Sequence, residues 1–203
     1  MNILNELQID ALAEVFNVGA GRAAASLSEI VNDEVHLSVP SIEVKKTLDV
    51  DASLVEVRSD KFGVVSQFFS GPFDAQALLL FSEMNTLEIV RDMMGSQMSV
   101  EEIAEFEQEA MCELGNIILN ACLSAMADML QVTLHCSLPN YKISSTGEIV
   151  KGLRNAHDEP YLIVLHIDLA IEKKQSEGRL IFLLSSMSLN SLIEHIERFL
   201  GHI

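Results

Sequence analysis

Basic residues are scarce in this chain: 13 Lys and Arg stand against 30 Asp and Glu, a formal charge of −17. A surface of that sign has no counter-charge to offer nucleic-acid phosphates or an anionic bilayer, and both drop out as partners. Cysteine is nearly absent as well. Cys112, Cys122 and Cys136 are odd in number and contain no C-x-x-C, which reads as buried thiols of a reducing cytosol. Although 49% of residues are apolar, no uninterrupted apolar run approaches the roughly 18 residues that span a bilayer. Met1-Asn-Ile-Leu-Asn-Glu6 lacks the basic start and the cleavage site of a signal peptide. A cytoplasmic protein is expected, its 203 residues forming one domain or two small halves.

Proline is also rare, with four in the chain, and two of these mark a repeat. Glu109, Glu113 and Asn116 stand at i, i+4 and i+7, and Pro139 follows Asn116 after twenty-two intervening residues. Asp10, Glu14 and Asn17 repeat the spacing, and Pro40 again follows after twenty-two. The offset between copies is 99 residues (113 − 14, 116 − 17, 139 − 40), and at that offset His36-Leu-Ser-Val-Pro40 falls on His135-Cys-Ser-Leu-Pro139. One E-x-x-N-x22-P match has odds of roughly one in ten thousand per start position. Two in register, with His and Ser matching as well, are an internal duplication.

The apolar spacing predicts helices over 3–31 and 100–130, each followed by a strand, over 34–40 and 132–138. Ser99-Val-Glu-Glu102 reads as a capping box for the second helix, and Asn32-Asp33 as the end of the first. Between the long helices, partial alternation over 50–57 and the β-forming runs 64–69 and 77–81 predict strands. Gly71-Pro72 marks a turn. Ser82 caps a helix running to Met94, with Gly95 as C-cap and 96–99 as linker. In the second half, 148–154 reads as a short helix, 161–170 and 179–184 as strands, and 188–200 as the closing helix. Met84 and Met187 fall in matching places after matching strands. The expected fold is α+β. Two α-β-β-β-α halves (1–98 and 99–203) share one antiparallel sheet with helices packed over it.

On the long helices one face carries Glu or Asp and Asn, and the other is apolar (Met111, Leu114, Ile118, Cys122, Ala125 and Met129). Asn120 extends the polar line. Gly19 and Gly21 admit two readings, close helix packing or room beside Asn17 for another molecule's backbone. An amide takes up no proton near neutral pH, so Asn17 and Asn116 are suited to holding a water or an oxyanion. Glu14 and Glu113 can act as bases or pair with a partner's cation. Such a face suits chemistry in which electrophile and metal arrive with the substrate. Phosphoryl transfer, where one carboxamide orients the attacking water, is of that type.

These residues resemble the CheC/CheX/FliY family of chemotaxis response-regulator phosphatases. The words Glu14-Val-Phe-Asn17-Val-Gly-Ala-Gly21 and Glu113-Leu-Gly-Asn116-Ile carry the likeness, which covers nearly the whole chain. Two sites on about 200 residues look most like CheC. CheX-type members are shorter with one site, and FliY-type members carry an extra flagellar-switch domain not expected here. The resemblance implies dephosphorylation of an aspartyl phosphate on a CheY-type regulator. Asn17 and Asn116 would align water, and Glu14 and Glu113 would pair with the regulator's lysine. Asp10, Gly21, Glu109 and Asn120 would support docking. It implies Mg²⁺ on the regulator, no metal or cofactor of the chain's own, and a CheD-type receptor deamidase as a further partner.

Phe16 departs from the family's Gly before the first Asn, and Arg22 from a small polar residue. Phe16 either obstructs the approach to Asn17 or turns into the core. Gly115 keeps the pattern, which favours Asn116 as the stronger site. Two other function classes stay open: a regulator-binding scaffold with degenerate sites, and a metal-dependent hydrolase using Glu109, Glu113 and His135. His36 and His135 read as hydrogen-bonded structural histidines, and His157, His166 and His195 form no ligand spacing with them. Pro40 and Pro139 read as setters of strand geometry. The methionines at 93, 94, 98, 126 and 129 read as packing.

Overall fold

Asn5 begins the first helix by accepting the backbone N–H of Gln8, while the Gln8 side chain returns to the Asn5 N–H at 2.9 Å. This reciprocal cap satisfies two donors that a helix start leaves unpaired. The helix, α1 (Glu6–Val31), ends at Asn32 in the left-handed conformation. In the computed structural model, which describes residues 3–55, 59–94, 99–156, 158, 160–171 and 174–201, this opening is repeated. Ser99 and Glu102 form the expected capping box of α3 (Val100–Leu130), which closes at left-handed Gln131.

The remaining elements, in chain order, are β1 (Val35–Lys46), β2 (Lys61–Ser70), β3 (Ala75–Ser82) and α2 (Glu83–Met94). After α3 come β4 (His135–Cys136), β5 (Asn140–Ser145), α4 (Thr146–Arg154), β6 (Tyr161–Ile171), β7 (Lys174–Leu184) and α5 (Ser186–Leu200). They form a mixed α+β fold around one antiparallel sheet in the order β1-β6-β7-β3-β2, with β4 and β5 both on β2. The first strand of each repeat is exchanged: β1 pairs with β6 of the second repeat, and β5 with β2 of the first.

Period-two alternation sorts the strands between two layers. Val65, Phe69, Leu79, Phe81, Leu165 and Phe182 face α1, α2, α3 and α5, while Phe62, Val64, Leu80 and Ile181 face α4 and the turns before β2. By composition α3 is apolar enough to cross a membrane, but Met111, Leu114, Ile118 and Cys122 are packed into the larger of these cores.

Two expected strands differ. The alternation at 50–55 is folded into 3₁₀ turns (Thr47–Asp49 and Ala52–Val55), with Val50 and Leu54 packed beneath α4; residues 56 and 57 lie outside the described residues. The strand expected over 132–138 is reduced to His135–Cys136. There Ser137 donates its N–H to the Phe68 carbonyl and accepts the Phe68 N–H on its hydroxyl, interrupting the ladder before Pro139. Gly95, residues 96–98 and His157 also lie outside the described residues.

Both prolines sit at the same irregularity. From Ser38 to Ser41 β1 advances three residues while β6 moves two, Asp168 to His166. From Cys136 to Asn140 the second repeat advances four residues while β2 moves three, Phe69 to Ser66. Each repeat thus carries one extra residue beside its proline, a bulge of the kind that bends an edge and re-aims a side chain.

Candidate functional site

The two long helices approach closely at Gly19, where an added Cβ would lie 2.6 Å from the Cys122 Cα. Gly19 is therefore helix packing, whereas a Cβ added at Gly21, which is exposed, would meet nothing within 4 Å. Gly115 also packs inward, with Val65 Cγ1 2.5 Å from where a Cβ would stand. Phe16 is fully buried and stacks on Phe182 at 5.4 Å. The Phe16/Gly115 difference consequently lies on the buried side of the helices and does not rank the two sites. Arg22 bridges to Asp128 of α3 at 2.7 Å, both side chains about half exposed.

Opposite that buried side, Asp10, Glu14, Asn17 and Gly21 share the exposed face of α1, and Glu109 and Glu113 the exposed face of α3. The four-residue spacings place them in successive turns. Here the repeats diverge. The Asn17 carboxamide donates to the carbonyls of Ala13 at 2.9 Å and Val39 at 3.3 Å, and accepts the Val39 N–H at 3.1 Å. Asn17 is a clamp on the bulge of β1, and Val39 beneath it is buried.

Asn116 makes none of the corresponding bonds. Its carbonyl accepts from Asn120 Nδ2 at 2.7 Å; the Asn120 carbonyl faces Gln67 Nε2 at 3.5 Å, and Gln67 donates to the Ser137 carbonyl at 2.7 Å. Leu138, the counterpart of Val39, is 90% exposed. In place of a clamp there is an open groove of about 630 Å³ beside Asn116, Glu113 and Glu109. Its apolar wall includes Ile30, Met93, Met94, Phe106, Leu138 and Pro139; Met93 also packs against the core, as expected, whereas Met94 is exposed. Gln67 is missing from the sequence-based set of site residues. The available signal is a Gln between Val65 and Phe69 on the core-facing side of a strand, where a buried amide needs partners.

Electrostatics favour a cationic visitor. Residues 101–113 of α3 contain Glu101, Glu102, Glu105, Glu107, Glu109 and Glu113, and the whole helix has no basic residue. Glu107 accepts the Tyr141 hydroxyl; burial, with this bond second, pushes the Tyr141 pKa up. Among the described residues Glu109 and Glu113 enter no ion pair.

Other candidates are dispersed. His36, expected as a hydrogen-bonded histidine, is a surface residue 3.2 Å from Glu34, and His135 is exposed on β4. Among the described residues no group of three or more His, Cys, Asp or Glu is placed to hold a metal, so Glu109, Glu113 and His135 do not form one. Of the three thiols only Cys122 is buried; Cys112 is half-buried in the groove and Cys136 is exposed.

No protein-family model matches the chain. Over 161 residues it is 26% identical to the CheY-P phosphatase CheC of Bacillus subtilis (strain 168), covering 73% of this chain and 72% of that protein. Over 174 residues it is 22% identical to the flagellar motor switch phosphatase FliY of the same organism, covering 83% of this chain but 44% of FliY. Among solved structures, Thermotoga maritima FliY matches with a TM-score of 0.78 at 21% identity, covering 97% of this chain and 99% of that one. A chain of the FliM-SpeE complex from H. pylori matches at 0.68 and 10% identity, covering 98% and 100%, and the FliM middle domain from the same organism at 0.58 and 12% identity, covering 95% and 99%. A chain of the CheX-CheY-BeF3-Mg complex from Borrelia burgdorferi matches at 0.50 and 13% identity, covering 83% and 96%. The chain is a homologue of CheC and FliY, and its likeness to the CheC/CheX/FliY family holds in both sequence and fold.

Proposed function

We propose that this protein dephosphorylates the phospho-aspartate of a CheY-type response regulator in chemotaxis, chiefly through Glu113 and Asn116. The observation that carries the reading is the state of Asn116. Its carbonyl is oriented by Asn120, and its amide nitrogen has no acceptor among the described residues, one turn from an exposed carboxylate.

A carbonyl oxygen has two lone pairs, so one remains on Asn116 to receive a water while Nδ2 reaches a phosphoryl oxygen. Water attacks phosphorus in line, the bond to the aspartyl oxygen breaks, and inorganic phosphate and the free carboxylate leave. Positioning supplies the acceleration, since an amide accepts no proton at this pH. Glu113 pairs with the regulator's lysine and Glu109 adds to the docking face. Mg²⁺ belongs to the regulator. Glu14 and Asn17, supported by Asp10 and Gly21, form the second, weaker site, because Asn17 must first release Val39. A CheD-type deamidase is retained as a further partner on the family resemblance alone, as is a cytoplasmic location.

The test is the decay of a phosphorylated CheY-type regulator with Mg²⁺, with and without this protein. Faster decay that Asn116→Ala largely removes supports the reading. Binding with no acceleration supports instead a regulator-binding scaffold, the alternative favoured by the likeness to FliM and by the clamped Asn17.

A further inference from the structure

Four of the exposed large apolar residues, Ile30, Met94, Phe106 and Leu138, converge on the one groove that also holds Glu113 and Asn116. Exposed apolar side chains are ordinary when scattered, but a contiguous set beside polar residues marks an interaction surface. Leu138 is the most exposed of them at 90%, turned out by the same bulge that buries its counterpart Val39 in the first repeat at 5%. The equivalent of Phe106 on α1 is Leu7 (106 − 99), which is 60% exposed. Every charged residue lining the groove is acidic, Glu109 and Glu113.

We infer that this groove seats an amphipathic helix of the phosphorylated regulator. That helix presents two apolar side chains to Phe106, Met94, Ile30 and Leu138, and a Lys or Arg one turn away to Glu109. The inference rests on the proposed phosphatase reading and deepens it. Asn116 performs the chemistry, whereas the apolar wall decides which regulators are held long enough for it. About 630 Å³ accommodates two large apolar side chains, and a helix lying in such a groove supplies them from i, i+3 or i+4 positions of one face. The carboxylates choose among apolar helices by charge, and they steer a basic one toward the site.

The experiment measures dephosphorylation kinetics of a CheY-type regulator and binding of its BeF₃⁻/Mg²⁺-loaded form to the full chain. It uses Phe106→Ser, Leu138→Ser and, as a control, Leu7→Ser. Leu138 and Leu7 are 90% and 60% exposed and Phe106 37%, and circular dichroism checks that each variant folds. The expected result is a five-fold or greater rise in both KM and Kd for the first two, with kcat kept within two-fold and Leu7→Ser unchanged. Asn116→Ala should do the opposite, lowering kcat while binding persists. Unchanged KM and Kd in the groove variants, with Asn116→Ala still inactive, would overturn the groove and leave the phosphatase reading standing. Failure of the unaltered protein to bind the loaded regulator would overturn both.

Discussion

Asn17 holds both backbone polar groups of Val39, accepting its N–H at 3.1 Å and donating to its carbonyl at 3.3 Å. Asn116, at the same place in the second repeat, leaves Leu138 untouched and is held instead by Asn120. One motif thus stands in two states in a single chain. The partner that makes the difference is at position 120, where the first repeat has Gly21 and so no amide to compete for the carboxamide.

Asn17→Ala is therefore expected to act on stability and Asn116→Ala on activity. Removing the clamp strips the buried Val39 of both partners, at a cost of about 1–2 kcal/mol. Urea denaturation should show that loss for Asn17→Ala and little change for Asn116→Ala, whose phosphatase rate should fall at least ten-fold. A stable Asn17→Ala with abolished activity would reverse the assignment.

The glycines of α1 should respond with opposite signs. At Gly21 a methyl enters open space on an exposed helix, and Gly21→Ala should stabilise by about 0.5–1 kcal/mol. At Gly19 the methyl meets the Cys122 backbone, so Gly19→Ala should destabilise by about 1–3 kcal/mol despite the same gain in helix propensity. Thermal melts of the pair are sufficient to check this.

Thiol reactivity should separate Cys136 from Cys122. Burial pushes the Cys122 pKa up to about 12, so almost no thiolate forms at pH 8. Exposed Cys136 should react with an aromatic disulfide within minutes, and Cys122 only on the timescale of unfolding. Mass spectrometry of partly labelled protein reads the order directly.

Glu43 supplies a pH-dependent contribution at the β1–β6 edge. A hydrogen bond from Lys45, at 2.6 Å, lowers its pKa below the ordinary 4.5, and His166 at 3.5 Å assists. A carboxyl with a depressed folded pKa stabilises above its unfolded value, and that contribution disappears as pH falls through the folded one. Glu43→Gln should accordingly lower the melting temperature slightly at pH 7 and not at pH 3. The side chain is 43% exposed, so solvent screening keeps the effect small.

The sequence alone determined the duplication, the two long helices with the Ser99 capping box and the end at Asn32, the apolar alternation of the central strands and the acidic faces. Each of these is fixed by neighbours within about one turn or by a strict period, so composition and spacing carry it. Where long-range pairing competes with local preference, the sequence could not decide. The alternation at Val50 is the same for a strand and for 3₁₀ turns beneath α4, and only the available sheet edge chooses between them. The role of each glycine depended on what crosses it, Cys122 at Gly19 and Val65 at Gly115. Asn17 and Asn116 are alike in spacing to their prolines, and although Gly21 against Asn120 can be read from the sequence, what each carboxamide bonds cannot, because Val39 and Gln67 come beside these residues only in the folded chain. Packing of β2 against α3 brings Gln67 of one repeat to Asn120 of the other, and Asn120 in turn holds Asn116, while Asn17 is clamped on Val39.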